Sequence, residues 1–99
     1  MVVSYTAKHV EINDEMKSYL EKKLQKVKFY FEQILQINVI VSEERSKITA
    51  EIKVSSNQDI YFAKETAQTW QEAFDFVTDK IEREIKKKKE RITDHHKGK

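Results

Sequence analysis

The spacing of hydrophobic residues switches between alternation and helical period three times along the chain, and turns divide the middle alternating stretch into three strands. Val2 to Lys8 alternates, with Val3, Tyr5 and Ala7 on one side and Ser4, Thr6 and Lys8 on the other, which predicts a strand. Val10 and Ile12 follow in a short connection. Asn13 is then placed to cap a helix whose first turn holds Asp14 and Glu15, the charges that the helix dipole favours there. Met16, Leu20, Leu24, Val27 and Phe31 recur every three or four positions, so this helix runs from about Asp14 to Phe31. Alternation returns from Leu35 to Glu43, with Ile37, Val39 and Val41 inward and Ile40 interrupting the polar side. It is cleanest from Lys47 to Ser55, where Ile48, Ala50, Ile52 and Val54 face in. Turns fall at Glu44-Arg45-Ser46 and between Ser55 and Asp59. Ile60 to Thr66 predicts a fourth strand in either of two registers, because Ile60/Phe62 and Tyr61/Ala63 both make inward pairs. Helical spacing resumes from Thr69 to Ile92 through Trp70, Phe74, Val77, Ile81 and Ile85.

The order is β-α-β-β-β-α, an α+β fold. Three hairpin-linked strands form an antiparallel meander, and the first strand needs the helical crossover to join beside them. One-sided strands and striped helices must bury each other, so both helices are expected on one face of a four-stranded sheet. Residues 1–93 make one domain, and 94–99 read as a flexible basic tail. Twenty-four helical residues span about 36 Å, against roughly 20 Å for a short strand. The last helix is therefore expected to project past the core from about Lys86, with Lys88 on the axis of its stripe.

Composition narrows the function. Ninety-nine residues, 36% of them charged, with no cysteine, leave no thiolate metal site or disulfide. No stretch is apolar enough to span a membrane and the first residues lack a signal-peptide layout, so the expected address is the cytoplasm. A single glycine cannot build a phosphate loop, His9, His95 and His96 have no metal-ligand spacing, and no serine sits in a nucleophile elbow. The expectation is a protein that is not an enzyme and needs no cofactor or metal.

The net charge of +2 hides a strong sorting of charges. Residues 80 to 91 hold seven basic residues against three acidic ones. On a helical projection Lys80, Arg83, Lys87 and Arg91 share one flank of the apolar stripe. Glu72, Asp75, Asp79, Glu82 and Glu90 take the back and the other flank. The first helix has its own basic flank, Lys22, Lys23 and Lys26 beside Tyr19 and Tyr30, with Glu21 opposite. Packed side by side, the two basic edges are expected to face one another across a groove that would meet a polyanion. Lysines at a helix C-terminus also complement the dipole, a plainer reading of Lys86 to Lys89. Phe29 and Phe76 point away from their stripes, and Phe76 shares a flank with Lys80 and Arg83, where a base could stack.

The segments Val10-Glu11-Ile12-Asn13, Lys23 with Tyr30-Phe31, and Ala73-Phe74-Asp75 followed by Asp79-Lys80 and Arg83 resemble the ribosome hibernation-promoting factors, also called ribosome-associated inhibitors or sigma-54 modulation proteins. The resemblance covers about residues 1 to 93. It implies a bacterial stationary-phase or stress factor that binds the small ribosomal subunit in the mRNA and tRNA channel and inhibits translation. Its implied partners are small-subunit rRNA and intact ribosomes, with no membrane, no small-molecule substrate, and a monomer off the ribosome. Lys23, Lys26, Lys80, Arg83, Lys87 and Lys89 match the family's rRNA-gripping positions; Lys22, Lys86 and Arg91 add to the field. Family members usually carry a tyrosine in the first turn of the second helix, where this chain has Thr69-Trp70-Gln71-Glu72. The chain matches the short form, without the C-terminal domain of the long one. Two alternatives share features with it. A double-stranded RNA-binding domain contains the same α-β-β-β-α order but carries its lysines at the start of the last helix. A protein-binding transcription regulator would need an exposed apolar patch, for which only Phe29, Ile40 and Phe76 are candidates.

Overall fold

The computed structural model describes the backbone of residues 2–30, 34–56 and 59–96, and the side chains of residues 3–25, 36–56 and 59–87. Its elements are β1 (Val2–Lys8), α1 (Asp14–Tyr30), β2 (Ile34–Glu44), β3 (Lys47–Ser56), β4 (Ile60–Ala67) and α2 (Trp70–His96). Both helices begin where the sequence supplies a cap. Asn13 Oδ1 accepts the Met16 N–H at 2.8 Å, and Thr69 Oγ1 accepts the Glu72 N–H at 3.2 Å.

The four strands form one sheet in the order β1-β2-β3-β4. β1 runs parallel to β2, as the helical crossover requires, and the β2–β3 and β3–β4 pairs are antiparallel. Arg45 and Ser46 close the β2–β3 hairpin with φ of 54° and 64°, the pair of left-handed residues that a two-residue hairpin turn demands. The next turn settles the register of β4. Ser56 N–H reaches the Asp59 carbonyl at 2.9 Å and Ser56 Oγ accepts the Asp59 N–H at 3.0 Å, which sets Ile60 opposite Ser55. Tyr61 and Ala63 then lie beside buried Val54 and Ile52 on the helix side, and Ile60 and Phe62 are turned outward.

One core joins the layers. Met16, Leu20 and Leu24 of α1 meet Ile37, Val39, Val41, Ala50, Ile52 and Val54 of the sheet and Phe74, Val77, Ile81 and Ile85 of α2. Thr78 is the buried polar side chain of α2, and its hydroxyl donates to the Phe74 carbonyl at 2.7 Å. α2 lies over β4 and β3, and α1 lies beside it toward β1, where Tyr5 meets Glu21 and Lys17. The side chains of Val27, Phe29, Tyr30 and Lys88 and all of Phe31 lie outside the described residues. Sequence periodicity ends α2 near Ile92, whereas the backbone stays helical to His96. Nothing in that stretch breaks a helix before Gly98. Ile85 is the last buried residue described on α2, so the eleven residues beyond it reach about 16 Å. No described helix is long and apolar enough to cross a membrane.

Candidate nucleic-acid interface

The outer side of the helix layer is built from a seam where α1 crosses the start of α2. Trp70 and Phe74 pack with their rings tilted, 5.5 Å between centroids, and Tyr19 meets the Trp70 ring edge-on at 5.3 Å. This aromatic cluster sets the approach of the two helices. Above it, Asp75 Oδ1 accepts the Tyr19 hydroxyl at 2.7 Å and pairs with Lys23 Nζ at 2.8 Å, and Lys23 also sits 5.5 Å from the Tyr19 ring centroid. Burial pushes the Asp75 carboxyl up, but the hydrogen bonds from Lys23 and Tyr19 and the lysine charge together outweigh it and hold the group below its ordinary value. The same hydrogen bond to Asp75 raises Lys23 against the opposing effect of burial, and raises Tyr19 as well.

The expected groove between two basic edges does not form. Lys23 of the α1 basic flank does face α2, but the flank of α2 that receives it carries Asp75, and Asp79 beyond it also acts on Lys23. Lys80 and Arg83 of α2 lie farther round the helix, past Asp79. Lys80 reaches Glu65 of β4 at 3.3 Å, and a shallow open depression there is lined by Glu65, Phe76, Asp79, Lys80, Arg83 and Glu84. The physical reason is complementarity: two rows of cations in contact would repel, whereas a basic row against an acidic one attracts.

Four of the expected binding residues are thus ion-paired. Besides Lys23–Asp75 and Lys80–Glu65, Arg83 pairs with Asp79 at 2.9 Å and Lys86 with Glu82 at 3.9 Å, both at i,i+4. Lys22 and Lys87 are exposed and, among the described residues, have no carboxylate within ion-pair distance. The side chains of Lys26, Lys89 and Arg91 lie outside the described residues. Among the described residues the surface is therefore a mosaic in which Asp75 and Asp79 stand between Lys23 of α1 and Lys80 and Arg83 of α2, not one continuous positive field. Glu82 in the Lys86 pair is only 18% open to solvent, whereas the other pairs are more exposed, most of all Arg83–Asp79, with 78% of the Arg83 and 55% of the Asp79 side chain open. Such pairs contribute about 0–1 kcal/mol each, so a phosphate can take a lysine or arginine from its carboxylate at little cost.

The expected exposure of Phe76 is present, at 50%. Sequence reasoning missed Ile60 and Phe62, exposed at 66% and 55%, because the register of β4 was open. The lengths of the β3–β4 turn and strands were the available signal. The first turn of α2 carries Glu72 and no cation, unlike the lysine cluster of a double-stranded RNA-binding domain. Among the described residues no group of three or more His, Cys, Asp or Glu is placed to hold a metal ion.

Known proteins match both the sequence and this geometry. The profile of the family described as "Sigma 54 modulation protein / S30EA ribosomal protein" matches residues 3–93. The ribosome hibernation promoting factor of Pseudomonas putida is 28% identical over 93 residues, covering 92% of this chain and 89% of that protein. The factor of the same name from Escherichia coli strain K12 is 26% identical over 95 residues, covering 96% of this chain and 100% of that protein. Among solved structures, the N-terminal domain of Thermus thermophilus Protein Y superposes with a TM-score of 0.80 at 27% identity, covering 88% of this chain and 98% of that one. With nearly its whole described length matched in sequence and fold, the chain belongs to the Sigma 54 modulation protein / S30EA ribosomal protein family.

Proposed function

We propose that this chain is a ribosome hibernation factor: a non-enzymatic, cytoplasmic protein that binds rRNA of the small ribosomal subunit in the mRNA and tRNA channel and inhibits translation under stress or in stationary phase, acting as a monomer off the ribosome. The match to relatives named ribosome hibernation promoting factor, over about nine tenths of the chain, carries this reading. The outer side of the helix layer supports it. Lys22 and Lys87 stand unpaired among the described residues, and the pairs that hold Lys23, Lys80 and Arg83 are open to solvent and exchangeable. Phosphates replacing those carboxylates would release counterions, so binding should weaken steeply as salt rises, by about 0.7–0.9 units of slope per phosphate contacted.

Co-sedimentation with purified small subunits tests the proposal. The protein should pellet with them at low salt and leave them at high salt. A Lys80→Glu, Arg83→Glu, Lys87→Glu variant should lose binding while keeping the circular dichroism of the parent, because none of the three lies in the core. Full binding by that folded variant would refute the assignment of this edge.

A further inference from the structure

The sheet face turned away from the helices is composed quite differently from the helix layer. Pairing aligns Ser4, Asn38, Lys53 and Phe62 in one row across all four strands, and Thr6, Ile40, Glu51 and Lys64 in the next. Charged residues on this face are Lys8, Lys47, Lys53 and Lys64 against Glu44 and Glu51, four lysines to two glutamates, an excess equal to that of the whole chain. Most of the remainder are hydroxyl or amide side chains, a poor match for a dry protein interface.

We propose that this open face is a second nucleic-acid contact, one that takes a single-stranded RNA segment with a base stacked on Phe62. Three observations along the first row support it. Phe62 presents 55% of its surface to solvent. Lys53, directly opposite on β3, has no carboxylate within ion-pair distance among the described residues. Asn38 Oδ1 accepts from both Ser4 Oγ and Gln36 Nε2, which directs its amide N–H groups away from those partners. A stacking ring, a free cation and an amide donor thus lie on three adjacent strands, across two strand spacings or roughly 10 Å. The shallow depression they line, with Thr6, Ile40 and Glu51, is about 280 Å³. Lys64 on the neighbouring row is held by Glu51 at 3.7 Å and stays 57% exposed, available to a phosphate on the β4 side. Stacking of unpaired bases on an open sheet, with flanking cations on the backbone, is how sheet surfaces read single strands.

This contact would extend the ribosome reading, on which it rests for the source of the RNA, but a free oligonucleotide tests it apart from any ribosome. The probe is a fluorescent oligouridine of about ten nucleotides, within the ~4–16 that small single-strand-binding folds cover. Anisotropy should show salt-sensitive binding that Phe62→Ala weakens about tenfold. Lys53→Ala should lower the salt slope by ~0.7. A 4-thiouridine probe should crosslink within residues 47–67. No binding by the parent protein, equal binding by Phe62→Ala, or crosslinks confined to the helices would overturn the proposal, as would self-association that Phe62→Ala abolishes in place of an RNA effect. Subunit co-sedimentation that survives any of these leaves the ribosome reading intact.

Discussion

Replacing Asp75 by asparagine should make the domain less stable and its ribosome binding tighter, two effects of opposite sign from one atom pair. The side-chain amide would keep an oxygen for the Tyr19 hydroxyl but lose the charge that holds Lys23 at 2.8 Å. A hydrogen bond between charged partners contributes about 1.5–3 kcal/mol when sheltered. Here 38% and 42% of the two side chains are exposed, so about 1 kcal/mol is the appropriate discount. For a domain of this size that corresponds to a fall in Tm of about 4–8 °C. The pH dependence follows from the directions of the shifts. The folded Asp75 carboxyl lies below its ordinary 3.8, so its contribution is complete above that value and fades as pH falls through the folded one. Lys23 and Tyr19 lie above their ordinary 10.5 and 10.0, so their share is complete below those values and is lost as pH rises through the folded ones. Thermal unfolding of the parent and the Asp75→Asn variant should therefore differ most between about pH 4 and 10 and converge in strong acid. On the binding side, a freed Lys23 and one less carboxylate in the seam should strengthen small-subunit affinity about two- to fivefold. A Tm gap that persists unchanged at pH 2, or weaker binding by the variant, would refute the account of Asp75 as a stabilising competitor.

Two further outcomes test the core and the overhang. Phe74→Ala removes a ring that is fully buried between both helices and the sheet, and should cost about 3–5 kcal/mol; against a total of about 5–15 kcal/mol, urea unfolding should show its midpoint cut by about a fifth or more. Truncation after Lys87 removes residues beyond Ile85, the last buried position among the described residues of α2, so the Tm should move by less than about 2 °C, while the loss of Lys88, Lys89 and Arg91 should flatten the salt dependence of subunit binding.

Periodicity sufficed for the six elements, because each helix and strand writes its buried face into the chain. Asn13 marked the start of the first helix through the chemistry of its own side chain, whereas Thr69, read as the first helical residue, is the cap of the second. The β4 register was not legible, since alternate residues Ile60/Phe62 and Tyr61/Ala63 are all apolar and only the hydrogen bonds of the Ser56–Asp59 turn decide between them. The charge sorting on α2 was legible, but its orientation was not. A helical projection says which residues share a flank, and it is silent on which flank meets a neighbouring helix. That depends on the handedness of the β1-α1-β2 crossover and on the direction of α2 across the sheet. The acidic flank of Asp75 and Asp79 was visible as a pattern from the outset. Its partner Lys23 became apparent only once the two helices were placed side by side.

The carboxylates interleaved with the cations have a consequence for selectivity. A bare lysine patch would gather any transcript or duplex it met, and a large population of such decoys would keep the protein from its target. Here a phosphate must arrive where it can engage the cation and still clear Asp75, Asp79 or Glu65, a demand that a rigid, correctly folded RNA surface can meet and a random strand rarely does. On the proposed ribosome reading the acidic residues would thus act as a sieve, lowering affinity for everything and lowering it least for the shape that fits.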